Sequence, residues 1–343
     1  MDFPDVNFLT AGRGPHLRSP RQLSSAFAAG KLVRLRRGVY LPIDEWLSGT
    51  AWDRYALTTT ALGIAGTPPV FCRETALSLY GFRLADVPQT VEYLTDSRSA
   101  WGRKAAPVLY GNPSEAALAW KRVRQGGGGR LPQGFREARR PGADAAPNRL
   151  RVAHLGVVLP MQSLDAALLD TLHRMPFADA VVVADAIAAE DPRIKRPCSL
   201  EGLVDGFSVL PSLAARNRTR EVLDFANSAS ESVGESYSRA VIHRLGFEVP
   251  ELQFRVMGSA GEIARTDFLW RSRKLVGEFD GLMKYTRSRE LSGKDPAQVV
   301  VEEKLREDRI RAEGYGVVRW VWDEVKKPQL LMQKLLRAGV PRR

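Results

Sequence analysis

The chain has 343 residues, enough for two or three domains of ordinary size. Hydrophobic residues make up 44% of it, and 51 Lys and Arg against 39 Asp and Glu give a net charge of +12 at pH 7. This basic excess favours a polyanionic partner, nucleic acid ahead of a membrane surface. Two distant cysteines exclude a disulfide framework, and neither a signal peptide nor a bilayer-length apolar run is recognisable, so we expect a reduced, cytoplasmic protein.

The first predicted helix begins after Ser19 and leads into a basic strand pair. Ser19 is a good N-cap, Pro20 suits the first helical turn, and Gly30 ends the helix. The following residues alternate apolar and basic side chains around a turn at Gly38, which is typical of a β-hairpin wing. Three arginines of this wing could reach DNA phosphates without reading sequence: Arg34, Arg36 and Arg37.

The run GKLVRLRRGVY, from Gly30 to Tyr40, resembles the end of the N-terminal winged-helix domain of AbiEi-type antitoxins. These antitoxins belong to type IV toxin–antitoxin systems. The resemblance covers residues 1–100 and implies a DNA-binding module whose protein partner would be a nucleotidyltransferase toxin. A small packing module with a solvated basic edge is the other interpretation of the same residues.

The character of the chain changes between Arg98 and Arg151, where 12 Lys and Arg residues accompany only three acids, a local net charge of +9. Four consecutive glycines, Gly126–Gly129, lie in this window and are followed by Pro132, Pro141 and Pro147. Glycine- and proline-rich sequence builds no core, so residues 101–150 are predicted to be a flexible basic insertion. It would either contact phosphates in a salt-dependent way or simply stay solvated.

Residues 151–229 are predicted to continue the α/β pattern and to end in a helical connector. A strand at Leu155–Leu159 precedes a helix capped by Ser163, and Phe177–Ala189 is helical in turn. His173, a lone histidine on this stretch, is interpreted as structural.

A last domain, residues 230–343, is predicted to follow the order helix, three strands, helix, strand. Its first helix is Gly234–Leu245, with Glu235 in the first turn, where a carboxylate favours the helix dipole. The later elements are Glu251–Met257, Ile263–Trp270 and Leu275–Asp280 as strands, Val299–Glu313 as a helix and Tyr315–Trp322 as the final strand.

Two of these strands are predicted to form a hairpin that carries three acids. If Trp270 pairs with Leu275, antiparallel pairing places Asp267 opposite Glu278, and the pleat turns Asp280 to the same face. Carboxylates this close predict a divalent cation between them, Mg²⁺ first and Mn²⁺ as a substitute. A register slip of one residue would remove the cluster, and an acidic surface paired with nearby arginines is the other interpretation.

This order of elements, with acids on its second and third strands, resembles the restriction-endonuclease-like (PD-(D/E)XK) fold and, more narrowly, Vsr-like bacterial domains of unknown function. The matching positions are Asp267, Phe268, Glu278, Asp280, Gly281, Asp308, Arg311, Gly314 and Arg319. Glu235 matches the helix acid of that fold. The lysine of the E-x-K motif is replaced by Asp280, so the resemblance implies either a displaced lysine, Lys284 or Lys304, or lost hydrolysis.

The sequence therefore predicts an α/β chain of the α+β type that acts as a Mg²⁺-dependent DNA endonuclease on double-stranded DNA, in a toxin–antitoxin or phage-defence setting. The metal ligands would be Asp267, Glu278 and Asp280. Glu235 would be a fourth acid turned towards the hairpin, and Lys284 or Lys304 would stabilise the transition state. Lys304, Arg311 and Arg319 would contact DNA phosphates. The alternative is a non-catalytic DNA-binding antitoxin or transcriptional regulator with a degenerate nuclease-like domain.

Overall fold

The computed structural model describes residues 1–10, 19–125, 129–144, 146–259, 261–281 and 296–343. The strands are β1 (Leu9–Thr10), β2 (Leu32–Arg36), β3 (Val39–Pro42), β4 (Thr90–Thr95), β5 (Gly102–Lys104), β6 (Arg136–Pro141), β7 (Asn148–Val152), β8 (Val157–Met161), β9 (Glu251–Gly258), β10 (Gly261–Trp270), β11 (Leu275–Asp280) and β12 (Gly316–Val321). The helices are α1 (Pro20–Ala28), α2 (Ile43–Ser48), α3 (Ala51–Ile64), α4 (Arg73–Tyr80), α5 (Pro113–Val123), α6 (Leu164–Leu172), α7 (Phe177–Ala188), α8 (Leu200–Asp205), α9 (Leu213–Phe225), α10 (Val233–Arg244), α11 (Pro296–Ala312), α12 (Trp322–Val325) and α13 (Pro328–Ala338). This mixture confirms the predicted α+β class.

The predicted helix and wing at the N-terminus are confirmed. Helix α1 starts with a capping box, in which the side chains of Ser19 and Gln22 each accept a hydrogen bond from the other residue's backbone N–H. Strands β2 and β3 form a hairpin, and β1 adds a third, antiparallel strand beside β3. The turn needs Gly38, whose φ of 80° lies in the left-handed region.

Residues 101–150 contain regular structure, so the prediction of a flexible insertion is wrong for their described part. Asn112 caps α5, and two alanines of this helix, Ala116 and Ala119, are buried in the N-terminal core with Trp46 of α2. Strand β6 is the central strand of the sheet β4-β6-β5. The buried face of α5 consists of small apolar residues. The glycine and proline content of the segment gives no indication of this face. Gly126–Gly128 lie outside the described residues.

The hydrophobic core continues from the middle of the chain into the C-terminal region. One cluster of buried side chains runs from Tyr55 to Val340 and takes in helices α4, α6, α7 and α10 and strands β10 to β12. A buried ion pair joins the same two regions, since Arg239 Nη2 of α10 lies 2.7 and 3.0 Å from the carboxylate oxygens of Asp185 of α7. Residue 230 therefore begins a new sheet but does not begin a separate core.

The C-terminal region has the predicted order of helix, three strands, helix and strand. Its sheet has the strand order β12-β11-β10-β9, in which β10 is antiparallel to both β9 and β11, and β12 is parallel to β11. Helix α10 packs against β11, and α11 packs against β10 and β12.

None of the helices in the described ranges is both long enough and apolar enough to cross a membrane.

Candidate functional site

The hairpin register that the sequence predicts is present. Trp270 pairs with Leu275, Leu269 with Val276 and Phe268 with Gly277, so the next position along β10 is Asp267. Its Oδ2 atom accepts a hydrogen bond of 2.8 Å from the backbone N–H of Phe279. The carboxylate of Asp267 therefore reaches across to β11, beside the residue that precedes Phe279 there.

Two glycines bring the elements of the site close together. A Cβ atom on Gly277 of β11 would lie 2.8 Å from the ring of Trp320 and 3.0 Å from that of Trp270. A Cβ atom on Gly234 of α10 would lie only 1.9 Å from Cε1 of Phe279. The N-terminus of α10 can therefore rest directly on β11, and the next helical residue, Glu235, is carried to the hairpin acids.

Glu235 is a buried carboxylate with three hydrogen-bond donors. It accepts from the Ser232 hydroxyl at 2.7 Å, from the Glu231 backbone N–H at 3.0 Å and from the Gln253 amide at 2.8 Å. Burial raises the pKa of Glu235, and the negative charge of Asp267 raises it further, while the Ser232 hydroxyl acts against both. The helix-capping role that the sequence suggests is thus combined with electrostatic coupling to the hairpin.

Gln253 is a site residue that sequence reasoning missed. It lies in β9 with a φ of 53°, in the left-handed region that glutamine rarely adopts. This backbone conformation accompanies a side chain whose amide bonds to Glu235 Oε2. Strained non-glycine residues are concentrated at functional sites, which singles out Gln253 for testing. The only sequence signal was a polar residue inside the strand ELQFRVM.

Glu278 is held by two arginines. Its Oε1 atom lies 2.6 Å from Arg306 Nη2 of α11, and its Oε2 atom lies 2.9 Å from Arg319 Nη2 of β12. Burial raises the pKa of Glu278, and the nearby charge of Asp267 adds to this, whereas the two guanidinium groups lower it. Arg306 was not singled out in the sequence, because its spacing in a helix says nothing about the strand that it faces.

The other residues predicted to contact phosphates lie on α11 and β12, and they differ in their exposure and in their ion-pair partners. Arg319 also lies 3.1 Å from Glu303 and 3.5 Å from Glu307, so it is the centre of an internal ion-pair network rather than a free phosphate clamp. Arg311 pairs with Glu307 at 2.7 Å on the outer face of the helix. Lys304 is exposed on α11.

The predicted three-carboxylate metal group is not assembled in this structure. Asp280 is half-buried, in register with Val321 of β12, and Lys284 lies outside the described residues. Across the described ranges, no set of three or more His, Cys, Asp or Glu side chains is arranged to hold a metal ion. The donor chemistry of Asp267 and Glu278 does suit Mg²⁺, which prefers carboxylate oxygens. In this structure each oxygen of Glu278 is engaged by one arginine, Oε1 by Arg306 and Oε2 by Arg319.

The N-terminal arginines are held by different neighbours. The Arg34 guanidinium lies 4.7 Å from the centre of the Phe27 ring, and Arg36 lies 3.8 Å from Glu137 of β6. Arg37 is exposed at the turn. The wing therefore exists as predicted, but two of its three arginines contact other parts of the chain.

A second group of ionisable side chains lies outside this site, between α4, β4, β6 and α6. Arg73 lies 2.6 Å from Asp170 and 3.7 Å from Glu92, and Glu92 also pairs with Arg140. Burial and the adjacent Glu92 raise the pKa of Glu74 to about 7. The group links the sheet β4-β6-β5 to the helices α4 and α6.

No family model matches the chain. It is 31% identical over 119 residues to an uncharacterized protein of Mycobacterium tuberculosis, MT2308 in strain CDC 1551 / Oshkosh and Rv2248 in strain ATCC 25618 / H37Rv, which covers 34% of this chain and 41% of the relative. The match thus spans about two fifths of the relatives' length. The crystal structure of the RV2827C protein from M. tuberculosis aligns over 63% of this chain and 71% of its own, at 19% identity and a TM-score of 0.33.

Proposed function

We propose that the chain is a Mg²⁺-dependent DNA endonuclease, with Mn²⁺ as an alternative metal. The supporting observation is the position of Asp267, whose Oδ2 atom accepts a hydrogen bond of 2.8 Å from the Phe279 N–H, next to Glu278 on β11. Burial raises the pKa of both Glu235 and Glu278, and the charge of Asp267 raises both further. Buried carboxylates that repel each other destabilise a fold, and such groups are concentrated at catalytic and metal sites. Here they lie within the predicted order of helix, three strands, helix and strand.

In this proposal the hairpin acids hold the metal and the arginines bind the substrate. When bound, the metal lowers the pKa of a water molecule and neutralises charge on the phosphate. Asp267 and Glu278 would supply its protein ligands, with Asp280 at the rim of the site. A guanidinium released from Glu278, on Arg306 or Arg319, would then be free to bind a phosphate oxygen.

A second candidate function is a DNA-binding antitoxin or transcriptional regulator without hydrolysis. Its support is the double ion pair of Glu278, because a carboxylate held by Arg306 at 2.6 Å and Arg319 at 2.9 Å needs no metal to stabilise it. Under this proposal the acids are a structural remnant and the net charge of +12 serves DNA binding alone. A nucleotidyltransferase toxin would then be the expected protein partner.

The experiment that separates the two candidates is nicking of supercoiled plasmid DNA with Mg²⁺ or Mn²⁺. The endonuclease proposal expects nicking that falls at least roughly 100-fold, about 3 kcal/mol of transition-state stabilisation, in Asp267→Asn and in Glu278→Gln. The matched control is Glu262→Gln, which removes an exposed carboxyl from the same hairpin, paired with Arg255 at 3.3 Å. This control should nick plasmid like the wild type.

Equal nicking by wild type and both acid variants would identify a contaminating nuclease and contradict the proposal. Absence of nicking by the wild type with either metal, together with a gel shift of duplex DNA in EDTA, would support the binding protein instead. A nucleotidyltransferase gene beside the one that encodes this chain would favour the antitoxin within that second outcome.

A further inference from the structure

The strand β5 forms an exposed basic edge that the hairpin site does not use. β5 is the outer strand of the sheet β4-β6-β5, and all three of its residues, Gly102–Lys104, are exposed. Arg103 and Lys104 belong to this strand, Arg98 lies in the turn before it, and Arg136 begins the neighbouring β6. Within the described part of the chain none of these four cations forms an ion pair.

An exposed aromatic ring lies within this basic edge. Trp101 directly precedes β5 and is 44% exposed, whereas Trp46, Trp270 and Trp320 are almost completely buried. Its indole N–H donates to the Thr95 carbonyl at 3.2 Å, which fixes the orientation of the ring. The Arg98 guanidinium lies 5.8 Å from the ring centre. The ring is thus held in place at the surface by two contacts.

The acids near this edge do not neutralise it. Glu137 lies opposite Lys104 in the register, but it accepts a hydrogen bond of 2.6 Å from Tyr93 and lies 3.8 Å from Arg36 and 4.0 Å from Arg139. Asp96 is exposed and is the one acid in the stretch 95–104. Charges alone would be enough to protect an edge strand from pairing with another chain. A large exposed aromatic ring favours association instead of preventing it. Protection of the edge strand therefore does not explain why Trp101 is exposed there.

We infer that Trp101 and the basic edge of β5 form a binding surface for single-stranded nucleic acid. Proteins that bind single strands combine cationic side chains, which follow the phosphates, with aromatic rings on which unpaired bases stack. Duplex DNA hides its base faces, so a duplex would use the cations of this surface but not the ring. The inference rests on the proposed function in one respect, that the ligand is a nucleic acid. What it adds is that this surface binds the single-stranded form.

The test measures fluorescence polarisation of labelled oligo(dT) and of a duplex of the same length, in EDTA so that no cleavage contributes. Stacking on an aromatic ring is lost on alanine substitution by roughly 5- to 150-fold in affinity. We therefore expect Trp101→Ala to weaken oligo(dT) binding within that range and to change duplex binding less than roughly twofold. Trp101→Phe should recover most of the loss, because it keeps a ring.

A charge variant keeps the inference testable if Trp101→Ala fails to fold. Replacing Arg103 and Lys104 together by alanine should lower the salt slope of oligo(dT) affinity by roughly 0.7 for each charge removed. The control is Arg218→Ala on α9, an exposed arginine outside this surface, which should leave oligo(dT) affinity unchanged.

Equal losses on single-stranded and duplex DNA in Trp101→Ala, or no loss on either, would overturn the inference. So would a salt slope that is the same in the charge variant and in the wild type. Binding is measured without metal, so failure of the endonuclease proposal appears separately, as absent nicking with unchanged binding of oligo(dT).

Discussion

Glu278 and Arg319 are direct partners in the parallel pairing of β11 and β12, and their side chains form an ion pair of 2.9 Å. The pair links the proposed metal ligand to a strand that is distant in sequence. Arg306 of α11 binds the other oxygen of the same carboxylate at 2.6 Å. The charge and position of the Glu278 carboxylate therefore depend on three elements of the C-terminal region: β11, which carries it, and α11 and β12, which carry its two arginines.

Arg319→Met should destabilise the protein and make its stability more sensitive to Mg²⁺. The substitution leaves Glu278 buried with one cation instead of two, so the free energy of unfolding near neutral pH should fall by about 1–3 kcal/mol. A bound Mg²⁺ ion could replace the lost charge, and we expect it to raise the Tm of the variant more than that of the wild type. The measurement is thermal unfolding with and without Mg²⁺.

The control for this prediction is Arg255→Met, which breaks an exposed pair with Glu262 at 3.3 Å. Such pairs contribute about 0–1 kcal/mol, and its Mg²⁺ response should equal that of the wild type. An equal shift of Tm by Mg²⁺ in all three proteins would contradict the placement of a metal at Glu278.

Gly234→Ala should displace α10 from β11. The added Cβ would lie 1.9 Å from the ring of Phe279, so the helix or the ring must move, which typically costs about 1–3 kcal/mol. Nicking should fall as well, because Glu235 moves with the helix. Urea unfolding and the plasmid assay measure the two effects.

Gly134→Ala is the control for the glycine substitution, because its Cβ would meet only Ala106 Cβ at 3.5 Å and Pro107 Cδ at 4.0 Å, both ordinary contact distances. Combining Gly234→Ala with Phe279→Leu should restore part of the lost stability, since the two sites are in contact. A fully additive double variant would show that the clash with Phe279 is not the cause.

Gln253→Gly should separate stability from activity. Glycine adopts the φ of 53° freely, so the relief of strain should offset the lost hydrogen bond to within about 1 kcal/mol in the free energy of unfolding. The amide stabilises the charged form of Glu235, so its removal should raise the pKa of Glu235 and move the acidic limb of the pH–rate profile of nicking to higher pH. An unchanged profile at unchanged stability would rule out a positioning role for Gln253.

Glu74→Gln should stabilise the protein, and the gain should grow with pH. The pKa of Glu74 is raised to about 7 by burial and by Glu92, so the folded state binds its proton more tightly than the unfolded state does. The contribution of this group to stability is therefore present at low pH and is lost as the pH rises from the unfolded value of 4.5 to about 7. The variant avoids that loss and should exceed the wild type by about 1–3 kcal/mol above pH 7.

Urea unfolding on either side of this pH window checks the prediction. Well below pH 4.5 the two proteins should have similar free energies of unfolding, because Glu74 is then protonated in both the folded and the unfolded state. The control is Glu201→Gln, which removes an exposed carboxyl from α8 and, as a surface substitution, should change the free energy of unfolding by no more than about 0.5 kcal/mol. A gain for Glu74→Gln that is the same at all pH values would mean that the carboxyl does not titrate differently on folding.

Local patterns were enough to predict the hairpin and the helix that precedes it. Pairing of Trp270 with Leu275 follows from two apolar strands joined by a short loop, and Glu235 was correctly predicted to lie in the first turn of α10, which the Ser232 side chain caps. Contacts between distant segments could not be predicted in this way. Arg306 reaches Glu278 only because α11 packs across β10 and β12, and nothing in the helix sequence specifies that packing.

The prediction for residues 101–150 failed for the opposite reason, because it relied on overall composition and ignored a local helix-start signal. Asn112 followed by Pro113 is a sound helix start, and the alanines after it provide a narrow apolar face. The surrounding glycines and prolines directed the interpretation to a flexible segment. The strained backbone of Gln253 was inaccessible for another reason, because no residue type announces a left-handed conformation at a glutamine.

The ion pair between Asp185 and Arg239 limits how this protein can be rearranged in evolution. A gene fusion that carried only α10 and the last four strands would transfer Arg239 without its counter-charge and would strip the shared core of its other half. Recombination must therefore move α7 together with α10 or neither of them. The unit of inheritance is larger than the nuclease-like sheet that the sequence first suggests.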